Sequence, residues 1–141
     1  MRFWDASAVI PLLVDEAARE SMLGRLEEDP QMLVWWGTPV EITSALARRE
    51  REGSLSPADF SASRVVTKEL ASGWHQVVPS DVVRRTAERL LRLHPLRAAD
   101  SLQLAAALVA AGHDPTTLEM VCLDEWLTAA ARREGFTVID H

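Results

Sequence analysis

Short apolar runs alternate with helical segments along this chain, and that alternation restricts the fold more than any other feature. Arg2-Phe3-Trp4, Met32 to Trp36, Trp74 to Val78, Met120 to Leu123 and Thr137 to Ile139 have strand length and composition. Between them lie segments with helical spacing and recognisable ends. Met22, Leu23 and Leu26 recur within Ala17 to Glu28, which Asp29-Pro30 closes. Thr38-Pro39-Val40-Glu41 reads as an N-cap, a first-position proline and a capping-box acid. Ser56-Pro57-Ala58-Asp59 repeats that start signal for a helix to about Ala71, and Ser80-Asp81 opens another over Val82 to Leu91. Leu96 to Ala111 is the most apolar helix; from Leu102 onward only Gln103 is polar, so it should be buried on nearly all sides. Trp126 to Glu134 is a last helix, ended by Gly135. Strand–helix alternation predicts an α/β protein: a three-layer fold with a central, mostly parallel sheet of four to five strands flanked by helices. Its crossovers should be right-handed.

Length and charge narrow the class. With 141 residues the chain is expected to form a single domain over 1–141, burying roughly two thirds of its unfolded surface. Fifteen cations against 21 anions give a net charge of −6, which argues against broad, sequence-independent nucleic-acid binding. Cys122 is the only cysteine, so no disulfide and no zinc cluster is expected. No stretch approaches membrane-spanning length, and Asp5 interrupts the opening apolar run before it could serve as a secretion signal. A cytoplasmic location without membrane contact is the expectation.

Asp5 follows the first strand and Asp124 the fourth, each before a helix. Glu41 lies in the first turn after the second strand, and Asp100 near the start of the buried helix. In a parallel sheet the first three converge on the carboxyl edge, where open α/β folds bind ligands. Asp100 joins them if its helix enters there. Each acid also has an ordinary structural role open to it. Asp5 and Asp124 can be N-caps, Glu41 can complete a capping box with Thr38, and Asp100 can cap its helix with Gln103 at N3. Helix N-termini favour carboxylates in any case.

Taken jointly the acids point to chemistry. Gathered carboxylates repel one another, and a divalent cation relieves that repulsion. Oxygen donors without His or Cys suit Mg²⁺ or Mn²⁺ rather than zinc. Such a site suggests phosphodiester hydrolysis. Competing chemistries have less in their favour. Cys122 sits in an apolar run, the four histidines show no triad spacing with a serine, and no glycine-rich phosphate loop is present. An aspartyl-phosphate enzyme would want an acid where Ser7 stands. Arg84, Arg85, Arg89, Arg92 and Arg97 make a cationic stretch, with Arg85, Arg89 and Arg92 on one helical face. A solvated face is the ordinary role of such a run.

Four stretches together resemble the PIN-domain ribonucleases of the VapC toxin type. They are Trp4-Asp5-Ala6-Ser7-Ala8, Pro39 to Leu46, Leu96 to Ala105, and Leu123-Asp124 with Ala129-Ala130 and Gly135-Phe136. The resemblance implies a PIN-like fold. It implies Asp5, Glu41, Asp100 and Asp124 as a metal-binding catalytic quartet, with Ser7 hydrogen-bonded to Asp5 or to a metal-bound water. It implies a Mg²⁺- or Mn²⁺-dependent endoribonuclease, usually a homodimer, neutralised by a small antitoxin protein. RNA would then need cationic surface, and the stretch from Arg84 to Arg97 leads directly into Asp100. The alternative is a catalytically silent PIN-like module that binds RNA or a protein.

Overall fold

The computed structural model describes residues 1–141. Its strands are β1 (Arg2–Trp4), β2 (Met32–Trp35), β3 (His75–Val77), β4 (Met120–Val121) and β5 (Val138–Ile139). Its helices are α1 (Ala6–Leu13), α2 (Arg19–Glu28), α3 (Thr38–Glu52), α4 (Pro57–Gly73), α5 (Asp81–Leu93), α6 (Ala98–Ala110) and α7 (Glu125–Glu134), with a 3₁₀ turn at Pro115–Thr117. The five strands form one sheet in the order β3-β2-β1-β4-β5. Every pairing is parallel, as the alternation predicts.

Alternating side chains give the sheet two apolar faces. Phe3, Trp35 and Met120 go to one face, where they pack with α5, α6 and α7 residues such as Leu90, Leu104 and Leu127. Trp4, Val34 and Val121 go to the other, with Val9, Met22, Ile42 and Leu46 from α1, α2 and α3. α6 runs within the first layer, and Leu104 through Leu108 are buried in it. That burial is what its near-continuous apolar sequence requires.

Strand order then fixes where a site can form. From β1 the chain moves outward to β2 and β3; it then returns past β1 to β4 and β5. Right-handed crossovers send the helices of the two halves to opposite faces. They therefore diverge between β1 and β4, leaving a crevice at the carboxyl ends of those strands.

Two helix starts differ from the sequence expectation. α3 has Gly37 at its N-cap and no capping side chain, so Thr38 is not the cap. Thr38 is fully buried, and its hydroxyl accepts a hydrogen bond from Gln103 Nε2 at 3.1 Å. A tertiary partner has taken the oxygen that the local signal assigned to the helix end. In α6, Arg97 occupies the N-cap position and Asp100 falls at N3, so Gln103 lies a turn further along. Asp5, Ser80 and Asp124 do cap α1, α5 and α7.

Candidate functional site

Asp5 and Asp124 stand at the two lips of the crevice, one after β1 and the other just beyond β4. Asp5 is only 4% exposed. Its Oδ2 accepts from the Ser7 hydroxyl at 2.5 Å and from the Ser7 backbone N–H at 3.0 Å. The Ser7 hydroxyl oxygen in turn accepts from the Leu123 N–H at 2.9 Å. Ser7 thus ties the end of β1 to the segment leaving β4 and fixes one oxygen of Asp5. Asp124 Oδ1 accepts from the Leu127 N–H at 2.8 Å, which anchors it through one oxygen.

Glu41 arrives from α3 and Asp100 from α6. Glu41 Oε2 accepts from Gln103 Nε2 at 2.7 Å. Asp100 Oδ2 accepts from the Arg97 backbone N–H at 3.4 Å. None of the four acids is ion-paired with a cation.

Their electrostatics link them. Burial pushes the Asp5 carboxyl above its ordinary range against the two Ser7 hydrogen bonds, and Asp100 and Asp124 push it further. Burial, with Asp5 and Asp100 as like charges, raises Glu41 to about 7 despite the Gln103 amide. Asp100 is raised by burial and by Asp124, against the pull of Arg97. Like-charge repulsion thus links Asp5 with Glu41, Asp100 and Asp124, although no three of these side chains are grouped closely enough to hold an ion.

No three acid side chains form a closed cage as they stand. Mg²⁺ holds several waters and takes one or two carboxylates directly, so it does not require a closed cage of acids. The donor chemistry fits the same ion: carboxylate oxygens that repel one another, none of them ion-paired.

Of the five arginines, all exposed, only Arg97 lines the hollow shared by Asp100 and Asp124. Arg89 reaches Glu134 at 3.4 Å and Arg84 reaches Asp81 at 3.4 Å, while Arg85 and Arg92 have no acidic partner.

Three residues near the acids have contacts or exposure that the sequence did not reveal. Gln103 is fully buried and donates both to Glu41 and to Thr38, leaving its own Oε1 unpartnered. Its isolation among apolar neighbours in Leu102 to Ala111 was the available signal. Cys122 is a core residue, as expected, but its thiol also lies 3.7 Å from Asp5 Oδ2. Burial and Asp5 push that thiol up to about 12, which leaves it inert as a nucleophile. Trp126 lies exposed beside Asp124, and nothing in its sequence neighbourhood marks it.

The geometry defines a three-layer, PIN-like α/β protein with an acidic crevice at its switch point. Several solved structures share this fold, among them the following two. A toxin–antitoxin complex from Klebsiella pneumoniae superposes with a TM-score of 0.64 at 16% identity, over 88% of this chain and 87% of that one. FitAcB from Neisseria gonorrhoeae superposes with a TM-score of 0.64 at 15% identity, over 99% of this chain and 96% of that one. At such identities the likeness is one of fold. No family model matches the sequence, and no curated protein matches it. The sequence resemblance to VapC-type PIN-domain ribonucleases is corrected accordingly: the four stretches do not establish membership. No helix is long and apolar enough to cross a membrane.

Proposed function

We propose that this chain is the toxin member of a toxin–antitoxin pair and acts as a Mg²⁺- or Mn²⁺-dependent endoribonuclease. The observation that carries the catalytic part is the linked acid set at the switch point: Asp5, Glu41 and Asp100, all raised and none ion-paired, with Asp124 beside them. The toxin part draws on the fold shared with the Klebsiella toxin–antitoxin complex. A small antitoxin would be the protein partner, and a homodimer the working assembly.

Asp5, Glu41, Asp100 and Asp124 would hold the cation, directly or through its waters. When bound, the cation supplies polarisation of the scissile phosphate and a water of lowered pKa. The chain's own groups do the rest. Ser7 fixes Asp5 Oδ2, and Gln103 fixes Glu41 Oε2. Glu41 is raised to about 7 in the metal-free chain, and a bound cation would favour its ionised form. Arg97 offers a phosphate its one cationic contact in the hollow beside the acids. Arg84, Arg85, Arg89 and Arg92 would extend that cationic path along α5.

One observation favours a second reading, a catalytically silent module that binds RNA or protein: the acids do not close into a cage. RNA cleavage by the purified chain, with Mg²⁺ and with EDTA, separates the two. Cleavage that needs Mg²⁺ is expected. Binding without cleavage at any divalent concentration would favour the silent module.

A further inference from the structure

The hollow beside Asp100 and Asp124 has a mixed lining: Pro95, Leu96 and Trp126 are apolar, and Arg97, Asp100 and Asp124 are charged. It encloses about 290 Å³. That is near the lower bound of ligand pockets, roughly 300 Å³, and suits a single nucleoside-sized group.

Trp126 is 64% exposed. Its neighbours on α7, Leu127, Ala130 and Ala131, enter the core, so the helix is anchored without it. The other exposed indole, Trp36, packs edge-on against Trp35, with ring centroids 6.5 Å apart. Trp126 has no aromatic partner. Its ring borders the same hollow as two of the acids.

We infer that Trp126 and Arg97 form a nucleotide subsite: a base stacks on the indole while Arg97 takes the adjoining phosphate. The inference rests on the proposed ribonuclease function and specifies its substrate as unpaired RNA. Charge selects this arrangement. In the metal-free chain Asp100 and Asp124 repel phosphate, and Arg97 is the only cationic side chain lining the hollow. A phosphate drawn to Arg97 leaves its attached base within reach of the same hollow, which Pro95, Leu96 and Trp126 also line. Stacking needs a free base face, which a single strand offers and a duplex interior does not. Every base has such a face, so this contact sets strandedness and not sequence.

The test is binding of a short, labelled single-stranded oligoribonucleotide in EDTA, where no cleavage intervenes. Wild type, Trp126→Ala and Trp126→Phe are each titrated with that oligomer and with an abasic ribose-phosphate oligomer of equal length. Oligomeric state is measured on the same samples. Stacking predicts that Trp126→Ala weakens the base-bearing oligomer about tenfold, that Trp126→Phe stays within about threefold of wild type, and that the abasic oligomer binds all three alike. Unchanged binding in Trp126→Ala overturns the inference. So does an equal loss for both oligomers, or a change of oligomeric state, which would place Trp126 in a protein interface. Mg²⁺-dependent cleavage by wild type keeps the two claims apart. If wild type cleaves while Trp126→Ala binds normally, only the subsite fails. If wild type neither binds nor cleaves RNA, both fail.

Discussion

The two ends of β1 treat charge in opposite ways. At its amino end, Arg2 donates to Glu119 at 2.9 Å and to Glu28 at 3.2 Å, and the terminal ammonium pairs with Asp29 at 2.5 Å. Hydrogen bonds from Arg25 and Arg2 hold Glu28 below its ordinary range, and the terminal ammonium does the same for Asp29. At the carboxyl end Asp5 has no cation, and burial with two like charges pushes it the other way. The same strand thus begins in a neutralised cluster and ends in an unneutralised one. Acids raised by burial and repulsion weaken a fold at neutral pH, whereas paired acids do not. Beyond the helix-capping roles of Asp5 and Asp124, this unneutralised charge supports the proposal that the carboxyl end receives a cation that the chain does not itself supply.

Substitutions can break this contrast, and the largest effect belongs to Asp5. Asp5→Asn should abolish Mg²⁺-dependent RNA cleavage, a greater loss than the roughly 10- to 100-fold typical of outer-shell partners. The metal-free variant should melt at or above the wild-type temperature, since a repelling charge has gone. Asp100→Asn should behave alike. Full activity in either would remove it from the site.

Glu41→Gln comes next. Glu41 rises from its ordinary 4.5 to about 7 on folding. Between those values the folded chain holds a proton that the unfolded chain has lost, so stability falls as pH rises through that window. The metal-free wild type should lose melting temperature from about pH 4.5 to 7, and Glu41→Gln should lose less. Asp5 and Asp100 carry shifts of the same sign, so a residual slope should persist. Activity should fall severely while the fold stays intact. A wild-type melting temperature that climbs across the window would contradict the burial of an unpaired Glu41.

A smaller effect is expected of Gln103→Met, which keeps volume and removes the donor to Glu41 Oε2. Mn²⁺ affinity should weaken about tenfold, and the same substitution in Glu41→Gln should have little further effect. Equal losses in both backgrounds would make Gln103 a packing residue. The smallest consequence for function belongs to the amino end. Arg2→Met should destabilise by about 1 kcal/mol, because its partners are largely solvated, and should leave cleavage untouched. Altered cleavage in that variant would mean that the two ends of β1 are coupled.

Much of this arrangement was legible in the sequence, and the missing parts share a cause. The strands could be read because Phe3 with Trp4, and Leu33 to Trp35, are apolar on both faces, as a covered parallel sheet demands. Asp5 and Asp124 could be placed at helix starts from chain order alone. Thr38 was misassigned because its capping signal is local while its partner Gln103 is 65 residues away. Strand order was equally invisible: only the return past β1 to β4 places Asp5 and Asp124 across one crevice. Arg84 to Arg92 looked continuous with the acids, yet of the stretch only Arg97 lines their hollow. Spacing along a chain reports helix faces and says nothing of which side those faces turn.

Divalent-ion binding at the carboxyl edge is most directly tested by calorimetric titration of Mn²⁺ into the metal-free chain at pH 7.5, in wild type, Asp5→Asn and Arg2→Met. Saturable binding is expected in wild type and Arg2→Met, with a melting temperature that rises as the ion is added, and loss of binding is expected in Asp5→Asn. Wild type that takes up no ion, or Asp5→Asn that binds as wild type does, would contradict the assignment of these acids to a metal.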